Sequence, residues 1–498
     1  MKIAMIAPPA WANWAPNPAM LLLSAQIKSD SHNIKMFDLN IDAYNAFNNE
    51  HKLWWEDLNS LKWETIEDVE KLFDIYKPFF INYAQKIKDS NFDLIAFSVN
   101  SGARYTSRIF ARLLKTELHD TPIIFGGSDC FRSELFREYM VKGVVDAVCT
   151  GEGELAFPQF VEQMNETGNI PDKITGFLTW NGDKIIDGGP PTPPKDLDNL
   201  EPVSVKNIDF NKYTKHNRLT LMISKGCINR CAYCNEGPNF GKFRSHSAKW
   251  MIKQIELVLP YLAASKQKPH INFNDSLING KVDVLEQMCD LIIDKHIDFT
   301  WGGMAFIRKE MTFEYIKKLK NAGCIEICWG LESGSENVLK LMRKRYTPHL
   351  ADKVLNDTGR AGISQYGNII VGFPGEGPEE FAESLLFLIK NKNLFTNLGL
   401  PILTPRQNSP LYKAPHKWGL KNLLENDWVT VDETNTPEIR ILRRELLSMV
   451  LDDKLFDQGR HEELKNSVNI NFDNPLIANE FENIFASSPE SVGKIWLG

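Results

Sequence analysis

Three cysteines, Cys227, Cys231 and Cys234, stand in the stretch Ser-Lys-Gly-Cys-Ile-Asn-Arg-Cys-Ala-Tyr-Cys. The spacing is Cys-x3-Cys-x2-Cys, with no fourth cysteine close behind. Thiolates are soft ligands that suit iron–sulfur clusters or zinc. Four protein ligands would close a structural site, whereas three leave one metal position open to a reactant. Gly226, Asn229 and Arg230 make the stretch a polar loop, which speaks against chance clustering of buried cysteines. Two metal readings stay open on spacing alone. One is zinc with His246, Cys289 or Cys324 as fourth ligand; the other is a 4Fe–4S cluster with one iron unligated by protein.

With an aromatic residue, Tyr233, before the last cysteine, the triplet resembles the signature of radical S-adenosylmethionine (SAM) enzymes. In that family the open iron binds the amino and carboxylate groups of SAM, and one electron from the reduced cluster cleaves a carbon–sulfur bond to give a deoxyadenosyl radical. Later segments resemble the family in order and spacing, from about residue 218 to 412. Asp275 ends Asn272-Phe273-Asn274-Asp275, where a carboxylate can accept an amino group or cap the next element. Glu332 lies in Cys328-Trp329-Gly330-Leu331-Glu332-Ser333-Gly334-Ser335 and can hold ribose hydroxyls or the amino group. Gly372, inside the run 368–376, lets an adenine ring lie against a strand. The resemblance implies SAM contacts at Tyr233, Asp275, Glu332, Ser333, Ile370 and Gly372. Asn408-Ser409-Pro410-Leu411-Tyr412 matches the turn that closes the family's barrel. One departure is Asn274-Asp275-Ser276 where Gly-Gly-Glu is usual. That change is typical of a branch with an N-terminal cobalamin-binding domain.

Apolar periodicity predicts the secondary structure that carries these residues. Residues 1–165 alternate short Ile/Val/Phe runs (2–7, 33–38, 93–99, 122–126, 146–150) with helical stretches such as 19–27, 107–118 and 133–141. Such alternation predicts a mostly parallel sheet covered on both faces, a Rossmann-like domain with ligands beyond the carboxyl ends of its strands. An insertion at 41–91 carries Trp54, Trp55 and Trp63 at helical spacing, as packing anchors. Residues 166–214 form a linker, with a hairpin at Asn181-Gly182-Asp183, then Gly188-Gly189-Pro190-Pro191 and an acidic stretch at 196–199. Residues 215–415 return to βα alternation, with strands at 219–224, 270–274, 298–301, 325–329, 365–371 and 398–403. Six βα units in some 190 residues suit a partial (β/α)6 TIM-type barrel, with chemistry at the C-terminal strand ends. The cysteine loop follows the first of these strands. Residues 416–498 form a small, mostly helical C-terminal segment with one clear helix at 438–451.

The strand-end loops of residues 1–165 are Pro8-Pro9, Ser98-Val99-Asn100-Ser101, Gly126-Gly127-Ser128 and Gly151-Glu152-Gly153-Glu154. Small residues there admit a large or phosphorylated ligand close to the backbone. With the hairpin and acidic linker, they resemble the cobalamin-binding branch over roughly residues 1–415. The likeness implies corrinoid contacts at Pro9, Ser98, Asn100, Ser101, Gly126, Gly127, Gly151, Glu152 and Gly153. The Asp-x-His-x-x-Gly sequence that supplies a cobalt ligand in other cobalamin proteins is absent.

Composition bounds the function. The 498 residues, 43% hydrophobic and 24% charged, are ordinary for a soluble globular protein of two or three domains. A net charge of −7 gives no field to draw in nucleic acid, and Arg343-Lys344-Arg345 reads as a solvated helix end. No apolar run is long enough to span a membrane. Eight cysteines without a secretory signal suggest a cytoplasmic protein, with Cys130, Cys149, Cys289, Cys324 and Cys328 in the core. The resemblance implies three cofactors: a 4Fe–4S cluster, SAM and cobalamin. It implies C-methylation of an unactivated carbon via methylcobalamin, on a small-molecule or peptide substrate, with an electron donor such as flavodoxin or ferredoxin. Rearrangement, cyclisation or ring contraction is the neighbouring expectation, with or without cobalamin; a non-catalytic iron–sulfur or zinc module is the outside one.

Overall fold

Seven short strands build the first sheet: β1 (Lys2–Ile6), β2 (Asn33–Phe37), β3 (Leu94–Ser98), β4 (Ile123–Gly126), β5 (Ala147–Cys149), β6 (Phe177–Asn181) and β7 (Lys184–Asp187). The computed structural model describes residues 1–28, 30–132, 136–421, 423, 427–451 and 475–486. The sheet order is β2-β1-β3-β4-β5-β6-β7. The first five strands are parallel, and β6 and β7 add an antiparallel hairpin whose turn carries Gly182 at φ +58°. The central strands are buried on both faces, which is why β1, β3 and β4 read as continuous apolar runs. The winding reverses between β1 and β3, so a topological switch point lies beyond their carboxyl ends.

The helix Arg104–Glu117 turns Ser107, Phe110, Ala111 and Leu114 into the core, a single apolar face at helical spacing. In the insertion, Trp54 and Trp63 are buried, and the Trp63 indole N–H donates to the Trp54 carbonyl at 2.9 Å. Trp55 meets Trp63 edge to face at 4.8 Å, so these rings are packing anchors. Of the helix expected at 133–141, the described residues 136–141 form no α-helix. Residues 133–135 lie outside the described residues, and Phe136–Tyr139 is a single 3-10 turn. Phe136 and Tyr139 are both buried, and a three-residue turn places them on one face.

Further along run β8 (Arg218–Leu221), β9 (Ser224–Lys225), β10 (Arg244–Ser245), β11 (His270–Phe273), β12 (Thr300–Ala305), β13 (Cys324–Glu332), β14 (Ser364–Ile369) and β15 (Asn397–Gly399). By its contacts the chain divides into two units. The first is Met1–Ile223 with Arg244–Asn272, and the second is Ser224–Phe243 with the described part of Phe273–Gly498. The helix Ala248–Ala263 belongs with the first because the linker is bonded to it. Gln254 exchanges hydrogen bonds with the Val203 backbone at 2.7 and 3.3 Å, and the Trp250 indole donates to Leu200.

In the second unit β12, β13, β14 and β15 lie side by side in chain order, all parallel. The helices Val282–Asp294, Phe313–Asn321, Pro348–Arg360 and Pro378–Asn391 connect or flank them. Pro348–Arg360, not anticipated from the pattern, starts on a Thr347 cap and buries Ala351, Val354, Leu355 and Thr358. The C-terminal helix runs Pro437–Leu451, and a second, unanticipated one spans Pro475–Ala486. The fold class is α/β, a doubly wound sheet followed by the βα units of a partial barrel and a helical C-terminal segment.

Candidate functional site

The cysteine loop begins at β9 and is pinned at its head. Asp275 accepts hydrogen bonds from both the Ser224 backbone N–H and the Ser224 hydroxyl, the latter at 2.5 Å. Asp275 caps no helix, since the next one begins at Val282; its carboxylate serves the loop instead. Further on, the Ala232 N–H donates to the Met342 carbonyl at 3.0 Å, and the Leu411 N–H donates to the Ala232 carbonyl at 2.8 Å. Leu411 lies in the short helix Pro410–Lys413, capped by Ser409, so the turn at 408–412 holds the loop from its far side.

Backbone N–H groups point at two of the sulfurs, from Asn229 to Cys227 Sγ at 3.4 Å and from Glu236 to Cys234 Sγ at 3.5 Å. Such donors stabilise a thiolate. Burial, with smaller contributions from neighbouring acidic groups, pushes all three thiols up, Cys234 to about 12, and a bound cation is what would displace their protons. Among the described residues no three His, Cys, Asp or Glu side chains converge on a single metal ion. A cluster makes a different demand, since it spreads its ligands over separate irons. The residues a zinc site would borrow are engaged elsewhere. His246 stacks on Trp250 at 3.4 Å and faces Asp198, and Cys289 and Cys324 are fully buried in the core.

Glu332 ends β13 at φ +70°, an uncommon backbone conformation for a residue with a side chain. Its carboxylate meets Lys344 Nζ at 3.0 Å, with the two side chains 11% and 4% exposed. Lys344 also donates to the Gly330 carbonyl at 3.2 Å and lies over the rings of Tyr233 and Phe306. The Tyr346 hydroxyl donates to the Leu331 and Gly330 carbonyls. The expectation of a solvated 343–345 helix end is therefore wrong for Lys344. The chain turns at Arg343 (φ +63°), which places Arg343 over the Trp418 ring and sends Lys344 inward. Burial raises the Cys231 thiol, and the Lys344 cation pulls in the opposite direction.

The structure thus brings Cys231, Tyr233, Glu332 and Lys344 together, with Ile370 donating its N–H to the Glu332 carbonyl at 2.9 Å. Ser333 is occupied otherwise, its hydroxyl meeting Ser384 Oγ and accepting the Ser335 N–H, both at 3.0 Å. Gly372 sits at φ +81°, and a Cβ there would come within 2.3 Å of the Arg440 side chain. The room a Cβ would take at this glycine is filled by Arg440.

In the first unit, Pro9, Ser98, Asn100, Ser101, Gly126 and Gly127 gather at the carboxyl ends of β1, β3 and β4, on either side of the switch point. The Thr106 hydroxyl and the Ala10 N–H join the loops after β1 and β3 through Pro9 and Gly102 carbonyls. Gly127 has φ +117°, and a Cβ there would lie 2.3 Å from the Val99 carbonyl oxygen. Asn100 caps the turn Ser101–Ala103. Beyond β5, Glu152 is bound bidentately by Arg244 at 2.6 and 3.1 Å, a buried pair. Gly151 and Gly153 make room for Pro191 and Leu23. Sequence reasoning missed a neighbouring group, Arg104 bound to Asp129 at 2.8 and 2.9 Å with Tyr139 on the same carboxylate. It missed Lys344, Arg440 and Arg443 as well; nothing in the residues beside each of them signals that it is buried or what it meets.

The loops at the switch point would suit a corrinoid in their small and polar residues, Ser98, Asn100 and Ser101, and contain no histidine.

Comparison with known proteins agrees with this geometry. Residues 221–388 match the Radical SAM superfamily model. An uncharacterized methyltransferase of Pyrococcus horikoshii is 26% identical over 321 residues, which is 62% of this chain and 67% of that relative. The solved structure of the cobalamin-dependent S-adenosylmethionine radical enzyme OxsB, with aqua-cobalamin bound, matches 98% of this chain and 72% of its own, at TM-score 0.67 and 16% identity. The radical S-adenosylmethionine methyltransferase TsrM from Kitasatospora setae matches 84% of this chain and 76% of its own, at TM-score 0.63 and 15% identity. At such identities the structural matches speak for the fold alone. Described helices include none long and apolar enough to cross a membrane. Residues 221–388, which hold the three-cysteine loop, thus match a domain of the Radical SAM superfamily.

Proposed function

We propose that this chain is a cobalamin-dependent radical SAM methyltransferase acting on an unactivated carbon of a small-molecule substrate, with flavodoxin or ferredoxin as electron donor. The observation that carries the reading is the cysteine loop held beside the buried Glu332–Lys344 pair. Bound together, the cluster, SAM and the corrinoid would supply a deoxyadenosyl radical and a transferable methyl group. Cys227, Cys231 and Cys234 would hold the cluster, with the Asn229 and Glu236 N–H groups supporting sulfur charge. Lys344 offers a cation and Glu332 an anion to the zwitterionic end of SAM, and Tyr233 and Phe306 exclude water around them. The switch-point loops at 98–101 and 126–127 would cradle the corrinoid. Methyl transfer in particular is supported by the names of the relatives, whose matched stretches resemble this chain at low identity.

The test is anaerobic reconstitution of the cluster, incubation with hydroxocobalamin and desalting, followed by reduction with SAM present. Stoichiometric corrinoid, loss of iron–sulfur absorbance in the triple Cys→Ala variant, and formation of both deoxyadenosine and S-adenosylhomocysteine are expected. Deoxyadenosine without S-adenosylhomocysteine would replace methyl transfer by a rearrangement or ring contraction. Full iron content in the triple variant would remove the cluster assignment.

A further inference from the structure

The helix Pro437–Leu451 carries two arginines, Arg440 and Arg443, whose side chains are fully buried on one face. A guanidinium is costly to desolvate, so its partners define what it does there. Arg443 donates to the Glu376 carbonyl at 2.8 Å and to Glu376 Oε2 at 3.2 Å, and its other edge grips Glu480 Oε1 at 2.5 and 2.9 Å. Arg440 donates to Asn435 Oδ1 at 3.1 Å and to the Trp428 carbonyl at 2.8 Å, and stacks on the Trp428 ring at 3.8 Å.

Both chains of bonds end on one residue. The Gly372 N–H donates to Glu376 Oε2 at 2.7 Å, and the Gly372 carbonyl accepts from Asn435 Nδ2 at 3.2 Å. Each polar group of Gly372 is thus one side chain away from a buried arginine. The shaft of Arg440 fills the space a Cβ would take at Gly372. Two residues upstream, Ile370 holds the Glu332 carbonyl. Two cations and two carboxylates balance in charge, so the cluster is stable as a unit while orienting a strand end.

From this geometry we infer that Arg440 and Arg443 are positioning residues for SAM, locking the peptide planes at 370–373 against which the cofactor's nucleoside binds. The inference rests on the proposed function together with the SAM contacts expected at Ile370 and Gly372. It gives the C-terminal segment a share in cofactor affinity. For packing alone, apolar side chains of similar volume in this helix would do as well.

The test uses the full-length, anaerobically reconstituted protein. SAM is titrated against the electron paramagnetic resonance spectrum of the reduced cluster, and thermal melting is followed without SAM. Arg440→Met is expected to raise the SAM Kd by roughly 10- to 100-fold, the range for removing a supporting partner, with iron content and the SAM-free spectrum unchanged. Arg440→Lys should recover part of that affinity. Glu480→Gln, which loosens Arg443 from its outer side, should move Kd in the same direction and serves if Arg440→Met does not fold. A lower melting temperature with Kd within about twofold of wild type in these variants would overturn the inference. A wild-type spectrum that does not respond to SAM would overturn the proposed function, and the inference with it.

Discussion

Lys344→Met removes one half of a buried ion pair while keeping the volume of the side chain. At the observed 3.0 Å separation, and with an effective dielectric constant of about 20, the pair attracts by roughly 5 kcal/mol. Desolvation of both groups offsets much of that in the intact protein. Deleting the cation alone is different, because Glu332 stays behind the same walls with its charge uncompensated. Such deletions cost about 3–5 kcal/mol. The strained backbone at Glu332 adds to the effect, since Lys344 and Tyr346 together hold the carbonyls at 330 and 331 on either side of the turn. The assay is equilibrium urea unfolding of the cluster-free chain for wild type, Lys344→Met, Glu332→Gln and the double variant. Glu332→Gln removes the charge that Lys344→Met leaves stranded, so the double variant should be less destabilised than the sum of the singles. The coupling expected is about 2 kcal/mol or more. Additivity of the two changes within about 0.5 kcal/mol would refute the reasoning, because it would mean that the pair is solvated and that the site has no buried charge to offer a ligand.

Two other consequences concern the first unit. Burial pushes the Asp38 carboxyl from 3.8 up to about 6, against opposing hydrogen bonds from the Tyr213 hydroxyl and the Ile41 N–H. A raised carboxyl favours folding below pH 3.8, and that contribution of about 3 kcal/mol is lost as pH rises through about 6. Asp38→Asn should flatten the stability profile across that window and leave the variant the more stable protein, relative to wild type, at neutral pH; parallel profiles for the two proteins would reject the assignment. Gly127→Ala must place a Cβ against the Val99 carbonyl at a φ that other residues rarely adopt, a strain of about 1–3 kcal/mol. Corrinoid retention should fall while iron content is kept, and undiminished retention would separate this loop from the corrinoid.

Much of the architecture was legible because its signals are local. Strands of the first sheet emerge where Ile, Val and Phe cluster, since a strand buried on both faces needs a continuous apolar run. The three cysteines announce a metal loop by spacing alone, and the hairpin at 181–184 by its Asn-Gly turn. Boundaries moved by a few residues, as between the expected strand 298–301 and the observed Thr300–Ala305. The linker's attachment to Ala248–Ala263 depends on bonds from Trp250 and Gln254 to backbone some fifty residues away, and no window along the chain contains both ends.

Sequence alone was enough to say where most of the strands form, which loop has the thiolates to ligate a metal, and which glycines and carboxylates stand at strand ends. Those are matters of periodicity, turn chemistry and ligand type, each decided within a few residues. How those groups are used became visible only once the chain was folded. Lys344 went from an expected surface charge to the partner of Glu332, and Glu152 gained Arg244 as a partner. Gly372 received an arginine from a helix that begins 65 residues later. One physical cause is common to all three. A charge or a cavity is defined by what packs against it, and here those neighbours lie from 12 to 92 residues away along the chain.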